Sequence, residues 1–145
     1  MCCIMFYNYD IKFVNGPVQL NEISFFQNIC YGASVFFLGF VRISSLVEDD
    51  VRAIQYIVFE ELALCIIRKI FFSVFCTYGR FIFLQVIQSK GLVNVGEPSI
   101  FIKVCAPHKE SAFEICSFIL KSIKSSVPIW KKEFTVNSIC WLLSS

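Results

Sequence analysis

Histidine is almost absent from this chain of 145 residues, and the common cofactor and nucleotide signatures are missing. The single histidine, His108, together with scattered cysteines, supplies neither zinc-ligand spacing nor a Ser-His-Asp or Cys-His arrangement. No Gly-x-Gly-x-x-Gly loop and no Gly-x-x-x-x-Gly-Lys loop occurs, so hydride transfer and nucleotide hydrolysis have no sequence support. We therefore expect neither a metal nor a cofactor.

Charge is also scarce, because only 17% of the residues are charged and the net charge is +2. Such a balance does not indicate nucleic-acid binding. The hydrophobic fraction is 57% and the mean hydropathy is +0.68, which is high for a globular chain. The uncharged stretch Ile23–Val41 is the best candidate for a membrane span, but Gln27, Asn28 and two glycines argue against one. The apolar excess favours an obligate oligomer instead, since such interfaces resemble a protein core.

Paired cysteines are missing although cysteine itself is frequent. The eight cysteines form no Cys-x-x-Cys pair and mostly lie in apolar runs, so we expect buried thiols rather than a disulfide scaffold. The segment Met1–Phe13 has no basic region before its apolar residues and no small-residue cleavage site, so no signal peptide is predicted. These features together predict a cytoplasmic protein.

The periodicity of apolar residues predicts an α+β domain in which a mixed sheet packs against helices. No linker or internal repeat divides the chain, and we expect one domain over residues 1–145. One helix should begin at Glu60 and end at Gly79, and a second should run from His108 to Lys124 with Phe113 among its buried residues. The other apolar segments predict strands at 33–41, 51–59, 80–87 and 99–106.

The most informative stretch runs from Lys124 to Glu133 and reads Lys-Ser-Ser-Val-Pro-Ile-Trp-Lys-Lys-Glu. Pro128 cannot continue a helix, so the chain should turn back there and bring Lys131 towards the same cleft as Lys124. Lysines at a helix end can also merely complement the helix dipole. The apolar stem of Lys124 should anchor it at the helix edge, although the sequence does not decide which lysine would act as acid or base.

Together with His108-Lys109 and the block from Gly32 to Arg42, this stretch resembles the family of large, catalytic subunits of molybdopterin synthase. The resemblance is strongest over residues 32–141 and implies an α/β-hammerhead fold. It also implies a sulfurtransferase that moves sulfur to cyclic pyranopterin monophosphate and so forms molybdopterin. The sulfur donor would be the Gly-Gly thiocarboxylate tail of a small ubiquitin-like subunit. Two large and two small subunits would make a heterotetramer around a homodimer.

Carried over residue by residue, the resemblance implies that Lys124 and Lys131 are catalytic. It makes Arg42, His108, Lys109 and Phe37 substrate-binding residues, with Lys109 standing where the family usually has arginine.

Some positions depart from the family pattern. Gln88-Ser89 replaces a common His-Arg pair, a Tyr-Glu-x-Tyr pattern is altered at 56–59, and the tail after Trp141 is short. These departures leave open an alternative, in which the chain is a non-catalytic interaction module that binds the tail of a ubiquitin-like partner.

Overall fold

The computed structural model describes residues 7–22, 29–43, 51–136 and 139–142, and within them the chain is a mixed sheet with two packed α-helices. The α+β class predicted from the sequence is confirmed. The strands are β1 Asn8–Asn15, β2 Ala33–Phe40, β3 Val51–Val58, β4 Phe83–Asn94, β5 Pro98–Ala106, β6 Ile129–Thr135 and β7 Ile139–Leu142. The helices are α1 Glu60–Tyr78 and α2 Lys109–Ser126.

Helix α1 begins and ends where its local sequence predicts. Glu60 and Glu61 lie in the first turn, where carboxylates stabilise the exposed N–H groups of a helix start. Gly79 ends the helix with a φ of 86°, a backbone region that favours glycine, and its N–H donates to the carbonyl of Phe75. The helix buries the stripe Ala63, Ile67, Ile70, Phe71, Val74 and Phe75.

Helix α2 also agrees with its pattern, with one correction. His108 is the extended residue before the helix, and Val127 is extended after it, as the residue before Pro128 should be. Phe113 was predicted to be buried, but it is 64% exposed, and Ile115 is fully buried instead. The helical repeat of 3.6 residues places 115 rather than 113 on the same face as Ile119.

The long strand β4 joins the two halves of the sheet. The hydrogen-bonded order is β2-β5-β4-β3-β6-β7, and β1 pairs with β4 in parallel. Residues 83–90 of β4 pair with β1, whereas residues 91–94 pair with β3. The prediction that this strand ends at Ile87 is therefore wrong, because β4 continues through Gly91, whose φ of 83° accommodates the change of partner.

The two helices cover one half of the sheet and form the main core with it. Helix α2 packs on β5 and β2, and α1 packs on β1 and α2. A smaller buried cluster lies in the other half and contains Val41, Val51, Tyr56 and Val93. The C-terminal end of α2 faces this second cluster across an open space, which is where the candidate site lies.

The structure also tests the expectation that the cysteines are buried. The cysteines were predicted to be buried, and Cys105 and Cys116 are. The prediction is wrong for Cys30, which is exposed before β2, and for Cys65 and Cys76, which lie on exposed positions of α1. An apolar run therefore did not by itself ensure burial.

The candidate span Ile23–Val41 contains strand β2. Among the helices in the described parts of the chain, none has the length and apolar character to cross a membrane.

Candidate active site

A cleft of about 800 Å³ opens between the C-terminal end of α2 and strands β3 and β6. Its α2 wall runs from Ile123 into the segment 124–128, and its far wall includes the end of β2. The geometry follows from Pro128, which ends the helix and allows the chain to continue directly into β6. Because β6 pairs antiparallel with β3, its alternate side chains point into the cleft.

Three cations from three separate segments line this cleft. Arg42 follows β2, Lys124 lies in the last turn of α2, and Lys131 lies in β6. In the part of the chain that the structure describes, no carboxylate forms an ion pair with Arg42 or Lys124. The cleft therefore presents positive charge that an anionic ligand can neutralise.

Lys131 is the more enclosed of the two lysines. Burial lowers the pKa of its amine from the ordinary value of 10.5, and the like charge of Lys124 lowers it further. Lys124 itself is exposed, so the expectation that its stem is held against the core is wrong. An amine with a lowered pKa can give up and regain a proton more readily near neutral pH.

Polar side chains on neighbouring strands form the floor of the cleft. Tyr56 of β3 is only 6% exposed, and its hydroxyl forms a hydrogen bond with the side chain of Ser99. The Ser99 hydroxyl donates to the carbonyl of Gly39 at 3.4 Å, and Gln88 Nε2 donates to the carbonyl of Ser99 at 3.4 Å. Burial raises the pKa of Tyr56, although the Ser99 hydrogen bond opposes that shift. The phenol is thus neutral at physiological pH.

Sequence reasoning did not identify Tyr56, Ser99 or Gln88 as site residues. Tyr56 is one apolar member of an alternating strand, and nothing in that pattern indicates which residue of β6 it faces. The register supplies this information, since it pairs Tyr56 with Lys131. The only local signal was the departure from the family pattern at positions 56–59 and 88–89.

The structure brings four of the six predicted site residues together and separates the other two from them. Phe37, Arg42, Lys124 and Lys131 all line the cleft. His108 and Lys109 lie at the opposite end of α2, so about 15 helical residues, or about 22 Å, separate Lys109 from Lys124. The side chain of Lys109 is 78% exposed there.

The chemistry that this cleft supports is therefore that of an anion site with one amine of lowered pKa. Fixed cations can bind a phosphate and stabilise negative charge that develops on oxygen. The enclosed amine can serve in proton transfer.

Comparison with known proteins agrees with the sequence resemblance. A family model described as "MoaE protein" matches residues 13–126. The chain is 33% identical over 129 residues to a molybdopterin synthase catalytic subunit of Drosophila mojavensis, a match that covers 88% of this chain and 35% of the relative. It therefore spans about a third of the length of that relative. A catalytic subunit of Pyrococcus abyssi is 29% identical over 137 residues, which cover 91% of this chain and 90% of the relative.

Two solved structures share the fold. Molybdopterin synthase from Staphylococcus aureus superposes with a TM-score of 0.83 at 23% identity, covering 90% of this chain and 95% of the other. A complex of subunits 1 and 2 of molybdopterin-converting factor from Helicobacter pylori gives a TM-score of 0.74 at 18% identity, with 92% and 90% covered. At these identities the structures establish the fold of the chain.

Proposed function

The chain belongs to the MoaE protein family, and from this premise we propose that it is the catalytic subunit of a molybdopterin synthase. In this proposal the chain is a single-domain sulfurtransferase of the cytoplasm. It takes sulfur from the C-terminal thiocarboxylate of a small ubiquitin-like subunit and transfers it to cyclic pyranopterin monophosphate. The observation that carries the proposal is the convergence of Arg42, Lys124 and Lys131 on one cleft.

Each cation has a place in such a reaction. The substrate is a phosphate ester, and Arg42 offers the planar guanidinium that suits bidentate binding of phosphate. Lys124 lies exposed at the cleft mouth, where its ammonium can contact the substrate or the incoming carboxyl-terminal tail. The pKa of Lys131 is lowered, which is the direction that favours general acid-base catalysis near neutral pH, so we assign proton transfer to it.

His108 and Lys109 fit the proposal only as part of an oligomer. They lie about 22 Å from the cleft of their own chain, which is too far to contact the same small substrate. A second copy could present its α2 start to this cleft, in agreement with the expected homodimer within a heterotetramer. Lys109 would then bind the phosphate through a single ammonium group, whereas an arginine would bind it bidentately through its guanidinium.

One observation favours the alternative, a module that binds the partner tail without turnover. Gln88, which replaces the family's common histidine, is 4% exposed and lines the cleft, so this departure lies at the site itself. The amide cannot take up or release a proton as an imidazole does.

The deciding experiment mixes the chain with a thiocarboxylated small subunit and the cyclic substrate and measures molybdopterin. We expect product from the wild-type chain and a loss of about 100-fold or more for Lys124→Ala, which removes a cation from the cleft, with partial rescue by Lys124→Arg because guanidinium keeps the positive charge. Lys121→Ala, one turn earlier on the same helix and outside the cleft, is the matched control. Binding of the small subunit without any product would select the alternative.

A further inference from the structure

Tyr56 is placed to control Lys131 across the sheet. The two residues are direct partners in the antiparallel pairing of β3 with β6. Directly opposed residues have Cβ atoms about 4.5–5.5 Å apart, so the lysine stem must run along the tyrosine side chain. The Nζ atom of Lys131 lies 5.9 Å from the centre of the Tyr56 ring. A cation at this distance is within the attractive range of an aromatic face.

The ring of Tyr56 is itself fixed from two sides. Its body belongs to the buried cluster with Val41, Val51 and Val93. Its hydroxyl is bound to the side chain of Ser99, and Ser99 in turn is tied to the carbonyl of Gly39. Strands β2, β3 and β5 therefore hold one ring, and the ring cannot rotate away from the lysine without breaking a buried hydrogen bond.

The charged and titratable groups that face Lys131 come from every neighbouring element of the cleft. Lys124 comes from α2, Arg42 from the end of β2, Glu133 from the same face of β6, and Tyr56 from β3. Burial is the larger cause of the lowered pKa of Lys131, ahead of the like charge of Lys124. The ring of Tyr56 contributes to that burial, because it lies directly across the sheet from the lysine with its centre 5.9 Å from the amine.

We propose that Tyr56 is a positioning residue for Lys131, and that its ring fixes the lysine amine over the cleft floor and keeps water from it. The role rests on the function proposed above, in which Lys131 transfers protons during sulfur transfer. The hydroxyl of Tyr56 contributes by anchoring the ring to Ser99. Tyr56 acts in this way through the lysine and not on the substrate.

The ring has two opposing effects on the amine, and their balance sets the expected result. Its electron-rich face favours the ammonium and so raises the pKa of Lys131, whereas its exclusion of water lowers that pKa. Leucine is smaller than tyrosine and would leave room for water beside the amine. We take the exclusion of water as the larger of the two effects, so Tyr56→Leu should raise the pKa of Lys131 towards its ordinary value.

The first measurement needs no substrate. The folded full-length chain is acetylated with trace reagent at a series of pH values, and the labelling of Lys131 is read by mass spectrometry of its peptide. The pH dependence of that labelling reports the pKa of this amine. Phe134→Leu is the matched control, because Phe134 is the aromatic neighbour of Lys132 on the other face of β6. We expect a raised pKa of Lys131 in Tyr56→Leu and an unchanged one in the control. If the pKa of Lys131 in Tyr56→Leu stays the same or falls, the proposal is overturned.

The second measurement uses the reconstituted synthase and separates binding from turnover. Tyr56→Leu should lower kcat about tenfold with little change in KM, the result expected when a reacting group is displaced but the substrate still binds. The apparent pKa in the pH profile of kcat should rise together with the pKa of Lys131. A loss confined to KM would contradict a role in positioning Lys131.

Tyr56→Phe decides the matter if the leucine variant does not fold. It keeps the ring and loses only the bond to Ser99, so we expect the lowered pKa of Lys131 to persist while kcat falls below the wild-type value by less than about tenfold. A pKa of Lys131 at its ordinary value in Tyr56→Phe, or a kcat of this variant equal to that of the wild type, would contradict the proposal. Absence of molybdopterin from the wild-type reaction would instead refute the proposed function, and the acetylation result would still stand.

Discussion

Replacing Lys131 by methionine should separate activity from stability. Methionine keeps an unbranched side chain of similar length but removes the amine, so the packing along Tyr56 is largely retained. The amine has a lowered pKa, and each unit of lowering raises the neutral fraction about tenfold at a pH below the pKa. Loss of such a positioned acid or base typically reduces turnover about 100-fold or more, and we expect a loss on that scale for Lys131→Met.

The stability of the same variant should not fall. Because the pKa of Lys131 is lowered on folding, the folded chain binds fewer protons than the unfolded chain in the pH range just below 10.5. Wild-type stability therefore rises with pH through that range, and below it the wild-type protein bears the penalty of a desolvated charge. At pH 7 we expect the free energy of unfolding of Lys131→Met to equal or exceed that of the wild type, with a difference that shrinks as the pH approaches 10.5.

The assays are molybdopterin formation with preloaded small subunit and urea unfolding at pH 7 and pH 10. Lys132→Met is the control, because its amine lies over Phe134 and Trp141 on the opposite face of β6. It should retain most of its activity. Near-normal product formation by Lys131→Met would remove this residue from catalysis. A clear fall in the free energy of unfolding of Lys131→Met at pH 7 would contradict the stability prediction. It would show that the contacts of the Lys131 side chain stabilise the fold by more than the burial of its charge destabilises it.

Two further predictions concern the ends of β2 and α2. Gly32→Ala should reduce the free energy of unfolding by about 2 kcal/mol or more. A methyl group there would overlap the carbonyl oxygen of Pro107 and displace the N–H that Gly32 donates to the carbonyl of Ala106. A urea midpoint equal to that of the wild type would contradict this prediction. Lys109→Arg should leave kcat unchanged and leave KM unchanged or lower it, because guanidinium binds phosphate bidentately; a raised KM in steady-state assays would argue against phosphate binding at this position.

The helices were predictable because their signals are local. Glu60 and Gly79 mark the two ends of α1, and Pro128 ends α2, all within a turn of the residues they control. The apolar spacing of α2 gave its buried face except at Phe113. The convergence of Lys124 and Lys131 was also predictable in outline, since only a helix end and a proline separate them.

The remainder of the site depends on pairing between distant segments. The sequence predicted that the chain turns back at Pro128 but indicated no strand after it, whereas Ile129–Thr135 is a strand because β3 provides its hydrogen-bond partners. The contact between Tyr56 and Lys131 arises from that register, which no local pattern encodes. The separation of about 22 Å between Lys109 and Lys124 is different, because it follows from the length of α2 and was already implied by the predicted helix from His108 to Lys124.

The parallel pairing of β1 with β4 has a consequence for how the chain is made. Asp10 of β1 accepts a hydrogen bond from Gln85 of β4, which lies 75 residues later. A ribosome that adds about 5–20 residues per second needs about 4–15 s to produce that partner, and for this interval β1 has no strand to join. Its alternate residues Ile11 and Phe13, which pack against the main core in the finished fold, are then open to other strands. We expect the yield of folded protein to depend on translation speed and on chaperones that shield an early apolar strand.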